Sequence, residues 1–146
     1  MRTARGFTLL ELLVVLALAG LILALVLPRL AGGLEGLRLR TASRQVAALL
    51  RTARAQAVVE RRTVTVNVDP RRGLLEASSE AGTPRRLALP EGIDLAVLDA
   101  AAWRHRAVQI RFSPRGGSDG GVLGVTGAGR RIVVVVDPLT GRVSLR

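Results

Sequence analysis

An apolar run near the N-terminus that contains a single carboxylate constrains this chain more than any other feature. Residues 7–27 are apolar or small except for Thr8 and Glu11. At about 1.5 Å of rise per residue, a helix over this run is roughly 31 Å long, which matches the hydrocarbon core of a bilayer. Secretory signal peptides have a shorter apolar stretch and a small-x-small cleavage site. The run therefore predicts a single transmembrane helix.

Glu11 is the unusual residue of this helix, because a charge within lipid costs roughly 2.5–3.5 kcal/mol on insertion scales. It follows Phe7 by four residues and shares a helical face with it. If Phe7 were a free N-terminus, its ammonium group would be the natural partner of the carboxylate, within the same chain or in a neighbouring one. Arginines on both sides of the run leave the orientation in the membrane open on charge alone. A carboxylate within a predicted membrane span indicates that Glu11 is a functional residue.

The stretch "RGFTLLELLVVLALAGLILALVLP", residues 5–28, resembles the class III leader and first helix of type IV pilins and pseudopilins. Gly6 matches the residue before the scissile bond, and Phe7 matches the N-methylated first residue of the processed chain. Glu11 matches the glutamate of that family. Pro28 falls where the family kinks its long helix.

This resemblance implies that a prepilin peptidase, which is also the N-methyltransferase, cuts after Gly6 on the cytoplasmic face of the inner membrane. Glu11 then pairs with the Phe7 amine of an adjacent subunit during assembly. Opposite charges that are costly alone in lipid become tolerable as a pair. The resemblance also implies a cytoplasmic N-terminus and a periplasmic C-terminal domain.

A second helical pattern follows the apolar run. Pro28 and three glycines weaken the helix over residues 28–36. From Leu37 to about Arg61 the helical period returns, and an apolar face is predicted at Leu39, Ala42, Val46, Leu49, Ala53 and Ala57. The arginines off this stripe, Arg40, Arg44, Arg51 and Arg54, are interpreted as a solvated helix face.

Polar and apolar residues then alternate with a period of two, as in half-buried strands. Strands are predicted at residues 63–68, 74–78, 86–89, 106–112, 122–126, 132–137 and 142–145, and no element is assigned to residues 90–103. Asp69, Asp119 and Asp137 are interpreted as turn-forming residues. One long helix followed only by strands predicts an α+β fold in which the helix packs on an antiparallel sheet.

Three stretches of this second half resemble the GspH/FimT family of minor pseudopilins and pilins: "LLRTARAQAVVERRTVTV", "IRFSPRGGSDGGVLGV" and "RRIVVVVDPLTGRVSLR". The family has a Phe-x-x-x-Gly loop, here Phe112 to Gly116, and a Thr-Gly-Arg turn, here Thr140 to Arg142. The resemblance implies a type IV pilin-like fold and a structural subunit of a type II secretion pseudopilus. Its partners would be other pseudopilins, major and minor, and the prepilin peptidase.

The predicted organisation has four parts. These are a leader peptide at residues 1–6, a transmembrane helix at residues 7–28, an amphipathic second half of the long helix at residues 29–61, and an antiparallel β-domain at residues 62–146.

The charge of the chain leaves a second function open. The formal net charge is +11, and only Arg2, Arg5 and Glu11 precede residue 29, so the exported part stays strongly basic. A basic surface attracts phosphates. The alternative is a FimT-like type IV minor pilin that binds DNA for natural transformation. Its candidate DNA contacts are Arg115, Arg130, Arg131, Arg142 and Arg146.

The sequence contains few residues that could support catalysis or bind a cofactor. The absence of cysteine excludes disulfides and cysteine metal sites, and His105 has no second histidine to share a metal with. The "GGSDGG" loop lacks the Gly-Lys-Ser/Thr ending of a phosphate-binding loop. Ser113 and Ser118 have His105 as their sole possible base. We therefore expect no enzyme activity, no metal and no cofactor.

Overall fold

The computed structural model describes residues 8–79, 82–98 and 108–146. Over these residues the chain forms one long helix followed by strands. The helix, α1, spans Leu9–Glu60. The strands are β1 Val64–Asp69, β2 Leu74–Ser79, β3 Arg85–Ala88, β4 Asp94–Val97, β5 Val108–Phe112, β6 Gly121–Gly127, β7 Arg130–Val136 and β8 Val143–Leu145. The predicted processing site, Gly6 and Phe7, lies outside the described residues.

The chain divides into two compact units, Met1–Leu34 and Glu35–Arg146. In the first unit, the described side chains of α1 are mostly large, apolar and exposed. They include Leu9, Leu10, Leu12, Leu13, Val14, Val15, Leu16, Leu18, Leu21, Ile22 and Leu23. The helix assignment continues through Pro28, and the kink predicted at Pro28 stays a prediction.

Within the described part of the chain, we find no helix that combines the length and the hydropathy needed to cross a membrane.

The second unit contains two four-stranded antiparallel sheets. One has the strand order β3-β2-β1-β5 and the other β4-β6-β7-β8. The sequence predicted an antiparallel sheet without this division. Alternation explains the strands themselves: Val64, Val66 and Val68 of β1 are buried, while the residues between them are half-buried. In residues 90–103, where no element was predicted, β4 forms by pairing with β6.

The helix contributes its small and branched apolar residues to the core of this unit. Leu39, Ala42, Val46, Ala53 and Ala57 are buried as predicted. At the fourth position of the predicted stripe, Leu49 is only partly buried, and the adjacent Leu50 is fully buried instead. The α1 helix ends at Glu60, because Arg61 adopts a positive φ of 52°. The prediction that the helix ends near Arg61 is therefore confirmed.

Candidate functional site

The first turn of α1 contains Glu11 in a helix-capping arrangement. The backbone N–H of Glu11 donates to Thr8 Oγ1 at 3.2 Å, and Thr8 precedes the helix. A threonine at the N-cap followed three residues later by a glutamate is a capping box. A carboxylate in the first turn also interacts favourably with the helix dipole. The observed hydrogen bond involves the backbone N–H of Glu11 and not its carboxylate.

Near the C-terminal end of α1, the Arg54 side chain contacts both the Phe112–Gly116 loop and the Thr140–Arg142 turn. Its Nε donates to the Gly116 carbonyl at 3.0 Å. A Cβ added at Gly141 would meet that same carbonyl oxygen and the Arg54 side chain. The Phe112–Gly116 loop and the Thr140–Arg142 turn are therefore in direct contact, and Arg54 lies against both.

The helix arginines fall into two groups. Arg40 and Arg44 are exposed, as predicted. Arg51 donates through Nη2 to the Val143 carbonyl at 3.1 Å, and Arg54 is half-buried against the loop. The interpretation of Arg54 as part of a solvated face was therefore wrong, because its acceptor belongs to a loop distant in sequence.

The turn between β7 and β8 is organised by Asp137. Its Oδ1 accepts hydrogen bonds from the Leu139 N–H at 3.1 Å, the Thr140 N–H at 2.7 Å and the Thr140 hydroxyl at 2.8 Å. The Thr140 backbone N–H, followed by the Thr140 hydroxyl, lowers the pKa of Asp137 below its ordinary value of 3.8. This stabilisation is therefore present at neutral pH and is lost as pH falls through the lowered pKa. Asp137 is a turn-former, as predicted.

The neighbouring β5–β6 loop is hydrogen-bonded to this turn. The Ser118 N–H donates to the Pro138 carbonyl at 3.0 Å, and its hydroxyl donates to the Asp137 carbonyl at 3.1 Å. The carboxylate of Asp119 points to the first sheet instead and binds Arg111 Nε at 3.0 Å. Loop and turn therefore form one hydrogen-bonded surface at the end of the domain where α1 terminates.

The five arginines proposed as DNA contacts separate into two groups. All five are exposed. Arg115 directly precedes Gly116 and Arg142 directly follows Gly141, so both lie at the turn end. Arg130, Arg131 and Arg146 lie at the opposite end of the β7–β8 hairpin. Arg131 and Asp137 are six positions apart along extended chain, a length of about 20 Å.

Strand register determines which members of the second group share a face. Arg146 and Val133 exchange backbone hydrogen bonds of 2.8 Å in both directions. Val134 is buried, so Val133 and Arg131 lie on the outer face of β7. Arg146 shares that face with Arg131, whereas Arg130 has the opposite parity. The hairpin expected from the sequence is confirmed by the pairing of Val136 with Val143.

Ion pairing distinguishes the two sheets. Among the described residues, the ion pairs are Arg72–Asp69, Arg86–Glu76 and Arg111–Asp119, and all involve the first sheet or its loops. None of the five candidate arginines takes part in them. The described residues also contain no group of three or more histidines, cysteines or carboxylates that could hold a metal ion, and His105 lies outside them.

Two family models match the sequence. The model described as "Type II transport protein GspH" matches residues 42–140, and the "Prokaryotic N-terminal methylation motif" matches residues 1–27. Among curated proteins, the chain is similar to the type II secretion system protein H of Xanthomonas campestris pv. campestris. The two are 34% identical over 144 residues, which cover 97% of this chain and 83% of the relative.

Solved structures of the same fold come from two assemblies. The type IV minor pilin FimU of Pseudomonas aeruginosa matches with a TM-score of 0.59 and 18% identity, over 74% of this chain and 87% of FimU. The minor pseudopilin EpsH from the type 2 secretion system of Vibrio cholerae matches with a TM-score of 0.60 and 14% identity, over 73% of this chain and 94% of EpsH. The fold is therefore the α+β fold of pilins and pseudopilins, as predicted.

Proposed function

We propose a role for this chain that starts from its family: it belongs to the GspH family and is a minor pseudopilin of the type II secretion system. In this role it is a structural subunit of the pseudopilus involved in protein export. The observation that carries the proposal is the order of the two matched segments. The methylation motif at residues 1–27 ends within α1, and the GspH segment at residues 42–140 begins within the same helix, which spans Leu9–Glu60.

The proposed partners follow from this role. They are the other pseudopilins, major and minor, and the prepilin peptidase that processes and methylates the N-terminus. We place the apolar part of α1 in the inner membrane before assembly, with the N-terminus in the cytoplasm and the domain in the periplasm. The exposed leucines and valines of residues 9–23 support this placement, because such a surface is costly to leave in water.

Glu11 is proposed as the assembly residue. Its carboxylate would pair with the methylated amine of Phe7 in a neighbouring subunit, which offsets the cost of holding either charge in an apolar environment. Pro28 is proposed to bend α1, because proline removes a backbone hydrogen bond and crowds the preceding turn.

Processing of the N-terminus is the first test. We expect the mature chain extracted from membranes to begin at Phe7 with one methyl group on its amine. Intact-mass and peptide mass spectrometry measure both features. In a strain without its prepilin peptidase, the same chain should retain residues 1–6. A mature chain that keeps Met1, or begins after Leu27, would contradict the proposal.

DNA binding for natural transformation is the second candidate function. The observation that favours it is the placement of Arg131 and Arg146 on one outer face, free of the ion pairs seen on the first sheet. Arg130 lies on the neighbouring position of the same strand. Guanidinium groups so placed can contact successive phosphates, although the candidates at the turn end, Arg115 and Arg142, lie too far away to join them.

A double substitution separates the two functions. For a secretion subunit, Arg131→Ala with Arg146→Ala should weaken DNA binding no more than Arg71→Ala with Arg72→Ala, two exposed arginines of the turn between β1 and β2. In either pair, each lost phosphate contact should reduce the slope of log binding constant against log salt concentration by about 0.9. Binding to a labelled duplex at several salt concentrations, together with transformation assays, measures this. A far larger loss from Arg131 and Arg146 at about 0.15 M salt, with loss of transformation, would favour DNA uptake.

A further inference from the structure

The two sheets differ in what they present on the side that faces away from the core. In each strand, the residues between the buried ones point outward. On the first sheet these outward residues are polar along the middle of the strands: Thr65, Asn67, Glu76, Ser78, Gln109 and Arg111. On the second sheet, which contains β4, β6, β7 and β8, they are apolar or lack a side chain: Ala96, Leu98, Val122, Gly124, Val133 and Val135. A strand with one solvated face normally alternates, and the run "VVVV" of β7 does not.

We call these six residues of the second sheet the apolar face, and strand pairing makes them contiguous. The pairs directly opposite each other are Val122 with Val135, Gly124 with Ala96, and Gly124 with Val133. The backbone N–H of Leu98 donates to the Val122 carbonyl at 2.8 Å. The Leu98 side chain lies over Gly124, with its Cδ1 3.2 Å from the position that a Cβ would occupy. The apolar face is therefore one strip across β4, β6 and β7.

Charged residues border the apolar face at the end where β6 turns into β7. Asp94 of β4 and Arg131 of β7 lie on either side of Thr126. Arg146 lies on the β8 side, where it exchanges backbone hydrogen bonds with Val133. All three charged residues are exposed, and none of them forms an ion pair among the described residues. The carboxylate thus lies at one edge of the sheet and the two guanidinium groups lie towards the other edge.

This arrangement of charges is complementary to itself. A twofold axis that runs parallel to the strands, between two facing copies of the second sheet, exchanges the two edges of the sheet and keeps the strand direction. β4 of one copy then faces β8 of the other, and β6 faces β7. Asp94 of each copy comes to face Arg131 and Arg146 of the other copy, so the ion pairs form twice. Sheets pack face to face in this way at about 10 Å to bury an apolar side.

We propose that a second copy of this chain covers the apolar face, in a twofold dimer in which Asp94 pairs with Arg131 and Arg146 of the other copy. Four strands about 4.8 Å apart and about 20 Å long offer roughly 400 Å² per copy, about half of what a stable complex buries. The dimer is therefore weak, and it forms between chains held together in one membrane. This inference goes beyond the proposed function, because it requires no other subunit and shares only the membrane placement of α1.

Cysteine crosslinking in membranes tests this proposal, because the chain has no cysteine of its own. Cells produce two full-length copies, one with Ala96→Cys on β4 and the other with Ser144→Cys on β8. A short bismaleimide should join them into a dimer on a denaturing gel, and peptide mass spectrometry identifies the 96–144 link. The control pair is Ala88→Cys with Gln109→Cys, two exposed positions on the edge strands β3 and β5 of the first sheet. It should give about tenfold less dimer, because its sheet face is polar.

Charge reversal tests whether the ion pairs hold the two copies together. Asp94→Arg in both copies should lower the yield of the 96–144 link about tenfold, because each new arginine faces Arg131 and Arg146 of the other copy. The yield should recover when only the Ala96→Cys copy carries Asp94→Arg and the other copy carries Arg131→Asp with Arg146→Asp. A substitution that merely disturbed the fold of one chain would not be repaired by a change in the other.

Three results would overturn the proposal. They are a 96–144 yield no higher than that of the control pair, a yield that Asp94→Arg leaves unchanged, and a loss that the opposite charges in the other copy do not repair. Immunoblots of the membrane fraction measure the amount of each variant, and yields are compared per chain. Any of these results leaves the proposed function standing, since processing after Gly6 and pairing through Glu11 do not involve the second sheet.

Discussion

Gly141→Ala should remove much of the stability of the domain, although it adds only one methyl group at the surface turn. Gly141 is buried with a φ of 62°, a conformation that costs an L residue roughly 1–2 kcal/mol. Its new Cβ would also meet the Gly116 carbonyl oxygen and the Arg54 side chain. Displacing Arg54 leaves that carbonyl without its partner, at about 1–3 kcal/mol. We expect a total loss of about 2–5 kcal/mol, against the 5–15 kcal/mol typical of a domain.

Gly129→Ala is the matched control for this substitution. Gly129 has a similar φ of 69°, but a Cβ there would meet nothing within 4 Å. It should therefore show the conformational penalty alone, about 1–2 kcal/mol. Thermal unfolding of the Glu35–Arg146 fragment, followed by circular dichroism, measures both variants. We expect Gly141→Ala to lower Tm by roughly 10–20 °C and Gly129→Ala by clearly less. Equal shifts would show that the contact of loop, turn and Arg54 contributes no stability.

The strands were largely predictable because most of them bury alternate residues, as β1 does. The alternation in "TVTVNV" predicts a strand at residues 63–68, and β1 spans Val64–Asp69. Their division into two sheets was not predictable, because the partner of a strand is set by contacts distant in sequence. β1 pairs with β5, and the paired residues, from Val68 with Val108 to Val64 with Phe112, are 40 to 48 positions apart in the sequence. The four-residue β4 likewise forms through its pairing with β6.

At the candidate site, contacts between residues distant in sequence could likewise not be predicted. The two glycine motifs were recognisable in the sequence, but their contact was not. Arg54 and Arg44 both lie off the apolar stripe of α1, so helical periodicity cannot tell them apart. Arg54 differs because the Gly116 carbonyl comes within 3.0 Å in the folded chain.

Glu11 has two possible roles, and they predict opposite results for a conservative substitution. At the third helical position of a capping box, a side chain must accept a hydrogen bond from the N–H of the N-cap residue, and glutamine can do this as well as glutamate. As the partner of a neighbour's amine, it needs its negative charge, which glutamine lacks. Thr8→Ala removes the cap and retains the charge, at an expected cost of about 0.5–2 kcal/mol to the first turn.

We therefore expect Glu11→Gln to insert normally and to assemble poorly, while Thr8→Ala assembles nearly as well as wild type. Two unit charges 4 Å apart attract by about 4 kcal/mol at an effective dielectric constant of 20. Losing even half of that energy lowers incorporation more than tenfold. Immunoblots of the membrane fraction and of sheared, pelleted pseudopili measure insertion and assembly separately. If Thr8→Ala fails to assemble and Glu11→Gln succeeds, assembly depends on the helix cap and not on the charge at position 11, because only the variant that keeps the cap would then support the fibre.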